Sequence, residues 1–328
     1  MIESSRAVPS ASVVVPTFNR LGDLQRVVRS VQRQIGEVET PCELVVVNDG
    51  STDGTGEWLA TAAGDGGLTV VDQSNSGPAT ARNRGVAASQ GSVVLFLGDD
   101  TVPLPGWLRG HLEAHRIFGD ADDLAVLGYT AFPADSNSPF LRWINEYGAQ
   151  FGYALIEDPT RVPFNFFYTS NISLPRRVFE ELGGFREDFP AAAWEDIEFA
   201  YRAFDAGLRM RYLPRARTVH HHRISVSSFC SRQRTSGRSA AIVAGLHPEL
   251  EDFLAVGCVG RRSGGKRLKR ILLRTWIAAG ELFHGVAGDG AYRRLLDGHY
   301  LEGLTAGLRE RNIEEIQQDL DRLSGQSE

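Results

Sequence analysis

The chain has 328 residues, of which 42% are hydrophobic and 23% charged, a composition typical of a globular protein. Its formal net charge of −6 argues against a general nucleic-acid binder, whose affinity depends on neutralising phosphates. The three cysteines are widely spaced, which predicts neither a disulfide framework nor a zinc site and suits a reducing compartment.

The beginning of the chain lacks the apolar core of a signal peptide, and residues 1–10 are expected to form a tail. No uninterrupted apolar stretch reaches the roughly 20 residues of a membrane span. We therefore expect a cytoplasmic protein, at most associated with the inner face of a membrane.

Strands and helices alternate through the first hundred residues. The apolar runs predict strands at 12–15, 44–47, 68–71 and 93–97. Helical periodicity and turn residues predict helices from about residue 20, over 57–63 and over 78–89. This alternation is typical of an α/β fold with a largely parallel, doubly wound sheet.

The second part of the chain predicts a mixed half of the sheet and then helices alone. Strands are expected at 124–131, 165–174, 211–213 and 218–220, and helices at 107–120, 177–182 and 195–206. After about residue 229 the pattern is helical only. We expect a catalytic domain over 11–230 and a C-terminal helical region over 231–328.

A basic tract lies within that helical region. Residues 261–274 contain seven Lys or Arg side chains and no acidic one. A basic tract followed by an amphipathic helix can dock on an anionic membrane surface, which would give peripheral membrane contact. The alternative is a solvated helical face.

Asp99 and Asp100 follow directly after a buried strand. Two adjacent carboxylates repel each other unless a positive group lies beside them. A divalent cation that carries a phosphorylated ligand would supply that charge. The alternative at this position is a solvated Asp-Asp turn.

The other predicted strands also end in polar residues, and ligands of open α/β sheets bind at such ends. Asp49 can accept hydrogen bonds from a nucleotide base, and Arg82 or Arg84 could reach a diphosphate. The chain contains neither GxGxxG nor GxxxxGK[ST]. Phosphates would therefore require a metal ion, for which Asp99 and Asp100 are the expected place.

Eight short motifs in consistent order resemble the family 2 glycosyltransferases of the GT-A fold. They are Val13–Arg20, Val46–Thr55, Asn75–Gly85, Gly98–Asp100, Ser170–Ser173, Gly183–Phe185, Trp194–Asp196 and Val219–His222. The resemblance covers roughly residues 10–230. It implies a GT-A sheet with a Rossmann-like nucleotide-binding half. It also implies an inverting enzyme that moves a hexosyl or deoxyhexosyl group from a nucleotide-diphosphate sugar to an acceptor hydroxyl.

The resemblance also implies residue roles. The residues assigned to the nucleotide sugar are Pro16, Thr17, Asn19, Asp49, Asn75, Arg82 and Asp99. The metal, Mn²⁺ or Mg²⁺, is assigned to Asp100 with His220 or His222. Asp196 is assigned as the general base, with Glu195 beside it. The acceptor, a glycan, a lipid-linked glycan or a small molecule, is assigned to Asn171, Gly184, Phe185 and Trp194.

Departures from the family pattern sharpen the metal assignment. The family usually carries Asp-x-Asp, and here Gly98 stands at the first position. On an extended backbone Gly98 and Asp100 face one side and Asp99 the other, which favours Asp100 for the metal and Asp99 for the ribose. On such a backbone His220 and His222 also share a side, and imidazole beside carboxylate favours Mn²⁺. A polar strand end without a metal is the alternative.

Other interpretations of these residues stay open at this stage. Glu195 and Asp196 also suit a helix N-terminus, where acids interact favourably with the helix dipole, and Phe185 also suits a packed core. A nucleotidyltransferase would carry a glycine-rich GxGTR-type loop after the first strand, which Pro16–Asn19 does not. A non-catalytic module that binds sugar nucleotides or glycans on the same fold is the second alternative.

Overall fold

A computed structural model describes residues 10–64, 67–118, 123–136, 138–148, 150–189, 193–259 and 289–324. The strands are β1 (Ala11–Thr17), β2 (Cys42–Asp49), β3 (Thr69–Gln73), β4 (Val93–Leu97), β5 (Thr101–Pro103), β6 (Leu124–Ala131), β7 (Asn171–Pro175) and β8 (Arg209–His220). The α-helices are α1 (Leu21–Ile35), α2 (Thr55–Gly64), α3 (Pro78–Ala87), α4 (Trp107–Phe118), α5 (Pro139–Glu146), α6 (Arg176–Glu181), α7 (Glu195–Asp205), α8 (Val226–Leu246) and α9 (Asp289–Ser324).

Within the described residues, the strands form one eight-stranded sheet in the order β3-β2-β1-β4-β7-β6-β8-β5. The first four strands in that order are parallel to one another, as in a nucleotide-binding half. β7 runs antiparallel to both β4 and β6, and β5 runs antiparallel to β8. The predicted α/β fold with a mixed sheet is confirmed.

Apolar residues pack on both faces of the parallel half. Val13 and Val15 belong to a cluster with Leu24 of α1, whereas Val14 belongs to the cluster of Phe96 on the other face. Burial on both faces explains why β1, β2 and β4 are almost continuously apolar in the sequence. The polar residues that follow these strands are therefore held at one edge of the sheet.

Three sequence-based expectations change in the mixed half. The expected strand over 165–174 is wrong in its first part, because Phe164–Phe166 is a 3₁₀ helix and only Asn171–Pro175 forms a strand. The two short segments expected near 211 and 218 belong to one strand, β8, whose pairing with β6 has an irregularity between Gly128 and Tyr129. The three-residue strand β5 was not expected.

The chain divides into two compact units. The first comprises Met1–Asn137, Ile144–Asp188 and Glu195–His222, and the second comprises Ser138–Trp143, Phe189–Trp194 and Arg223–Glu328. In the second unit α8 and α9 approach closely. A Cβ on Gly303 would lie 1.9 Å from the Arg234 carbonyl oxygen, so only glycine permits this approach. The boundary expected near residue 230 stays a prediction.

The basic tract 261–274 lies outside the described residues, so its expected membrane contact also stays a prediction. None of the helices in the described part of the chain is long and apolar enough to cross a membrane.

Candidate active site

The turn after β4 presents the two adjacent carboxylates. The Thr101 amide donates to the Gly98 carbonyl at 3.1 Å, which closes a turn with Asp99 and Asp100 at its centre. The extended backbone expected here is therefore wrong, and the two side chains do not alternate between opposite sides. Both carboxylates contact the same guanidinium, that of Arg20.

Arg20 and Thr17 bring the end of β1 to these carboxylates. Arg20 Nη1 lies 3.4 Å from Asp99 Oδ1 and also forms an ion pair with Asp100 Oδ2. The Thr17 hydroxyl donates to Asp99 Oδ2 at 2.9 Å. The Asp99 and Asp100 side chains are only 11% and 7% exposed, so Arg20 neutralises charge that water reaches poorly.

The histidine run lies on the other side of Asp100. Thr101 pairs with His220 across the β5–β8 ladder, and His220 Nε2 lies 3.2 Å from Asp100 Oδ1. His222 Nδ1 lies 4.0 Å from Asp100 Oδ2, so both of these imidazoles face the same carboxylate. The His221 amide instead donates to the Asp100 carbonyl at 2.8 Å.

The two carboxylates differ in acidity because their partners differ. Burial raises the pKa of Asp99 to about 6, with Arg20 and the Thr17 hydroxyl acting against the shift and the charge of Asp100 adding to it. Burial acts on Asp100 in the same direction, but it is outweighed there. The His220 hydrogen bond and the charges of His220 and Arg20 hold the pKa of Asp100 well below its usual value.

A divalent ion fits the donors beside Asp100. One carboxylate oxygen and one imidazole nitrogen lie 3.2 Å apart, and His220 Nδ1 is buried without a hydrogen-bond partner among the described residues. No group of three or more His, Cys, Asp or Glu side chains is arranged to hold a metal in the described ranges. A bound ion would therefore need further donors, such as ligand phosphates, and Arg20 would have to yield its position on Asp100.

The carboxylate of Asp49, at the end of β2, holds a neighbouring loop. Asp49 Oδ1 accepts from Gln73 Nε2 at 2.6 Å and from the Ser76 amide at 2.8 Å, and Oδ2 accepts from the Gly77 amide at 3.0 Å. These bonds fix the start of α3. Asp49 thus holds the loop between β3 and α3, in which Asn75 is exposed. The contacts with a nucleotide that were assigned to Asp49 and Asn75 stay predictions.

Asn19 has a positive φ of 54°, a conformation that asparagine tolerates better than most residues. Its side-chain oxygen accepts from the Thr52 amide at 2.7 Å, which ties the β1 loop to the β2 loop. Pro16 lies half-buried within β1, immediately before Thr17. The structure therefore places Pro16, Thr17 and Asn19 on one continuous segment that leads to Arg20.

A second pair of acids opens α7. Arg82 of α3 donates to Glu195 Oε1 at 2.9 Å, and the side chains of the two residues are 12% and 3% exposed. Arg82 Nε and Glu195 Oε2 are buried without partners among the described residues. Arg82, assigned to the diphosphate, is thus paired with an acid of α7 in this structure.

Asp196 follows Glu195, and the residue as a whole is half-buried. Desolvation raises the pKa of Asp196 to about 7, the negative charge of Glu195 adds to the shift, and Arg82 acts against it. The Asp196 carboxylate accepts from the Ile197 amide at 2.9 Å. At neutral pH this carboxyl can both hold and release a proton.

Two of the four residues assigned to the acceptor are buried in the fold. The Asn171 side chain accepts from Trp107 Nε1 at 2.7 Å and donates to the Ala216 carbonyl at 3.0 Å. The Phe185 ring packs 5.1 Å from that of Phe96 and is 2% exposed, as the core-packing alternative predicts. Because both side chains are buried in the fold, their positions do not support contact with an acceptor, and the acceptor roles of the two residues stay predictions.

The other two lie at special backbone positions. Gly184 has a φ of +70°, and a Cβ there would lie 2.6 Å from Asn83 Oδ1. Trp194 also has a positive φ, of 75°, and belongs to the second unit. Its Nε1 donates to the Ser236 carbonyl at 2.9 Å. Their acceptor roles likewise stay predictions.

Sequence comparison gives the family. The profile described as glycosyl transferase family 2 matches residues 12–183, more than half of the chain. The chain belongs to glycosyl transferase family 2.

The validoxylamine A glucosyltransferase of Streptomyces hygroscopicus subsp. jinggangensis is 30% identical over 62% of this chain and 53% of its own length. The pre-mycofactocin glycosyltransferase of Mycobacterium tuberculosis is 28% identical over 83% of this chain and 54% of its own length. This family 2 chain thus spans about half the length of the curated relatives that it matches.

Solved structures share the fold. A mannosyltransferase from Pyrobaculum calidifontis, solved with GDP-Man and Mn²⁺, superposes with a TM-score of 0.58 at 19% identity, covering 92% of this chain and 87% of that protein. The TarS protein of S. aureus, residues 1–349, gives a TM-score of 0.52 at 16% identity, covering 93% and 92%. The GT-A fold expected from the motifs is confirmed.

Arg20 was missed as a site residue. The sequence contained one signal for it, a basic residue in the turn directly after β1, at the edge where the other strand ends carry acids. Its pairing with Asp99 and Asp100 depends on β1 and β4 being neighbours in the sheet, which their sequences alone do not specify.

Proposed function

We propose that this family 2 chain is an inverting glycosyltransferase that moves a hexosyl or deoxyhexosyl group from a nucleotide-diphosphate sugar to an acceptor hydroxyl. The observation that carries the proposal is Asp196 at the start of α7, because desolvation raises the pKa of its carboxyl to about 7, which suits a general base at neutral pH. Family membership and glycosyltransferase relatives support the same reaction class.

In the proposed reaction the Asp196 carboxylate accepts the proton of the attacking acceptor hydroxyl. One base on the side opposite the leaving group is what a single displacement with inversion requires. Arg82 pairs with Glu195 and thereby limits how far the neighbouring negative charge raises the pKa of Asp196. The base then remains largely ionised slightly above neutral pH.

At the donor end, Thr17 and Asp99 form one hydrogen-bonded unit that suits the ribose and base of the nucleotide. Asp100 and His220, with His222 nearby, would hold a divalent ion, Mn²⁺ or Mg²⁺. When bound, such an ion neutralises the charge of the departing diphosphate as a Lewis acid. The fold neighbour from Pyrobaculum calidifontis, solved with Mn²⁺, is consistent with this choice.

A non-catalytic module that binds sugar nucleotides is the second candidate, since the fold would be the same and Asp196 would have no chemical role. We expect UDP-, GDP-, dTDP- or CMP-sugars with Mn²⁺ to raise the melting temperature, because ligands that bind only the native state stabilise it. Turnover of the stabilising sugar nucleotide with candidate glycan, lipid-linked or small-molecule acceptors, lost in Asp196→Asn, would establish the enzyme. Binding without turnover on any acceptor would favour the module.

The membrane contact proposed for residues 261–274 has a separate test. We expect the protein to co-sediment with vesicles that contain anionic lipid and not with neutral vesicles, because the tract carries seven basic residues. Equal binding to both kinds of vesicle would contradict an electrostatic interaction.

A further inference from the structure

The backbone around Arg20 is anchored on both sides. The Leu21 amide donates to Asp53 Oδ2 at 3.0 Å, and the Asn19 amide donates to the Ser51 hydroxyl at 3.0 Å. The Arg20 carbonyl accepts from the Leu24 amide at 2.9 Å in the first turn of α1. The start of the Arg20 side chain is thus fixed, and only the side chain itself has freedom to move.

The Arg20 guanidinium lies between a buried anionic pair and solvent. The Arg20 side chain is 36% exposed, whereas the carboxylates that it contacts are 11% and 7% exposed. It can therefore leave Asp99 and Asp100 without crossing packed side chains. The two carboxylates cannot follow it, because Asp99 is bonded to Thr17 and Asp100 to His220.

The negative charge of the Asp99–Asp100 pair accommodates either Arg20 or a divalent ion, but not both together. Asp99 and Asp100 carry up to two negative charges, and Arg20 supplies one positive charge. A divalent ion on Asp100 would neutralise the pair alone, and Arg20 beside it would add like-charge repulsion in a poorly hydrated site. A diphosphate brings further negative charge, and a planar guanidinium is well suited to bind it.

We propose that Arg20 is a displaceable counter-ion of the Asp99–Asp100 pair, which a divalent metal ion replaces and which then binds the diphosphate of the donor. This inference rests on the proposed function and assigns to one residue two successive partners. Arg20 weakens metal binding to the free protein and strengthens nucleotide binding to the metal-loaded protein. Metal and nucleotide binding are thereby coupled, and the coupling is reciprocal.

The test measures two affinities of the full chain. Mn²⁺ binding is titrated by the electron paramagnetic resonance signal of the free ion, without nucleotide, in the wild type and in Arg20→Gln. UDP and GDP binding are then measured by calorimetry at saturating Mn²⁺. We expect Arg20→Gln to bind Mn²⁺ about tenfold tighter and to bind the preferred diphosphate about tenfold more weakly, a coupling of ordinary size.

Two further variants separate this role from a structural one. Arg20→Lys keeps the positive charge without the planar fork and is expected to lie between the wild type and Arg20→Gln in Mn²⁺ affinity. Arg33→Gln removes an exposed arginine of α1, the helix that begins after Arg20, and is expected to leave both affinities unchanged, because Arg33 Nε pairs with Glu37 Oε1 at 4.0 Å and not with the site. Thermal unfolding of each variant reports whether it folds.

The opposite signs of the two changes are diagnostic, since a purely structural role would weaken both affinities together. Unchanged or weaker Mn²⁺ binding in Arg20→Gln would overturn the inference while leaving the proposed function intact, and so would an unchanged diphosphate affinity. A wild type that binds no Mn²⁺, alone or with UDP or GDP, would instead overturn the metal dependence of the proposed function, and the inference with it.

Discussion

Two of the chain's pairs of adjacent acids, Asp99–Asp100 and Glu195–Asp196, are neutralised differently in the fold. Asp99 and Asp100 share Arg20, whose side chain is 36% exposed. Glu195 is paired with Arg82, whose side chain is 12% exposed. The first arginine can be displaced by an incoming cation, whereas the second is held within the fold. The two acid pairs therefore differ in how exposed the arginine that neutralises them is.

The largest effect on activity is expected at Asp196. We expect Asp196→Asn to lower kcat about a thousandfold, since an amide cannot accept the proton and general bases contribute about 10²–10⁴-fold. Donor binding, followed by calorimetry, should remain. Asp188→Asn is the matched control, because Asp188 is exposed and paired with Arg186. A decrease in kcat of less than threefold would show that Asp196 is not the general base.

The fixed pair is expected to matter for stability. Arg82→Gln leaves the buried Glu195 carboxylate without its cation, which should lower the free energy of unfolding in urea by about 3 kcal/mol. The double variant with Glu195→Gln should recover most of this loss. Arg177→Gln, which removes an exposed arginine paired with Glu181, should cost at most about 1 kcal/mol. Equal losses at Arg82 and Arg177 would show that the two pairs are not energetically distinct.

The pH dependence of kcat/KM reports how Glu195 affects the pKa of Asp196. Because the base must be ionised, we expect kcat/KM to fall about tenfold per pH unit below the Asp196 pKa of about 7 and to level off above it. Glu195→Gln removes a negative charge that raises this pKa, so the acidic limb should move to lower pH. A limb that stays in place in this variant would show that Glu195 does not influence the base.

The smallest expected effect concerns the hydroxyl partner of Asp99. Thr17→Val removes the 2.9 Å hydrogen bond to Asp99 Oδ2 with little change of shape. We expect the free energy of unfolding to fall by about 1 kcal/mol, measured in urea at neutral pH. Thr61→Val, in an exposed turn of α2, serves as the control with a smaller effect. A larger loss of unfolding free energy in Thr61→Val than in Thr17→Val would contradict a stabilising role for the hydrogen bond between Thr17 and Asp99.

Local patterns predicted β1, β2 and β4 of the parallel half well because these strands are buried on both faces. The run Val93–Leu97 is apolar throughout and was predicted with its observed bounds. The segment 165–174 also contains large apolar residues, but the buried rings of Phe166 and Phe167 pack in the core there without strand pairing. Strand β5 is only three residues long, and its partner lies more than a hundred residues away. Sequence periodicity therefore predicts neither the 3₁₀ helix at Phe164–Phe166 nor strand β5.

The candidate site was predicted in part for the same reason. Acids at strand ends are visible in a sequence, so Asp99 and Asp100 were identified as candidates, whereas Asp196 was identified through the family motif Trp194–Asp196. The partners of these acids come from other elements, and side-chain geometry decides them. Arg20 reaches Asp99 only because β1 and β4 are neighbours, and Arg82 reaches Glu195 from α3. The extended backbone assumed for Asp99 and Asp100 failed because a tight turn follows β4.

The short ladder between β5 and β8 has a consequence for deletions in β8. The pairing of Thr101 with His220 fixes which residue of β8 lies beside Asp100. Deletion of one residue from the irregular part of β8, near Arg217, would move His221 into the place of His220 if the ladder kept its register. The run of three histidines would then still supply one imidazole to Asp100. The repeated residue thus keeps an imidazole beside Asp100 after the deletion of one residue, which would leave none there if His220 were followed by another residue type.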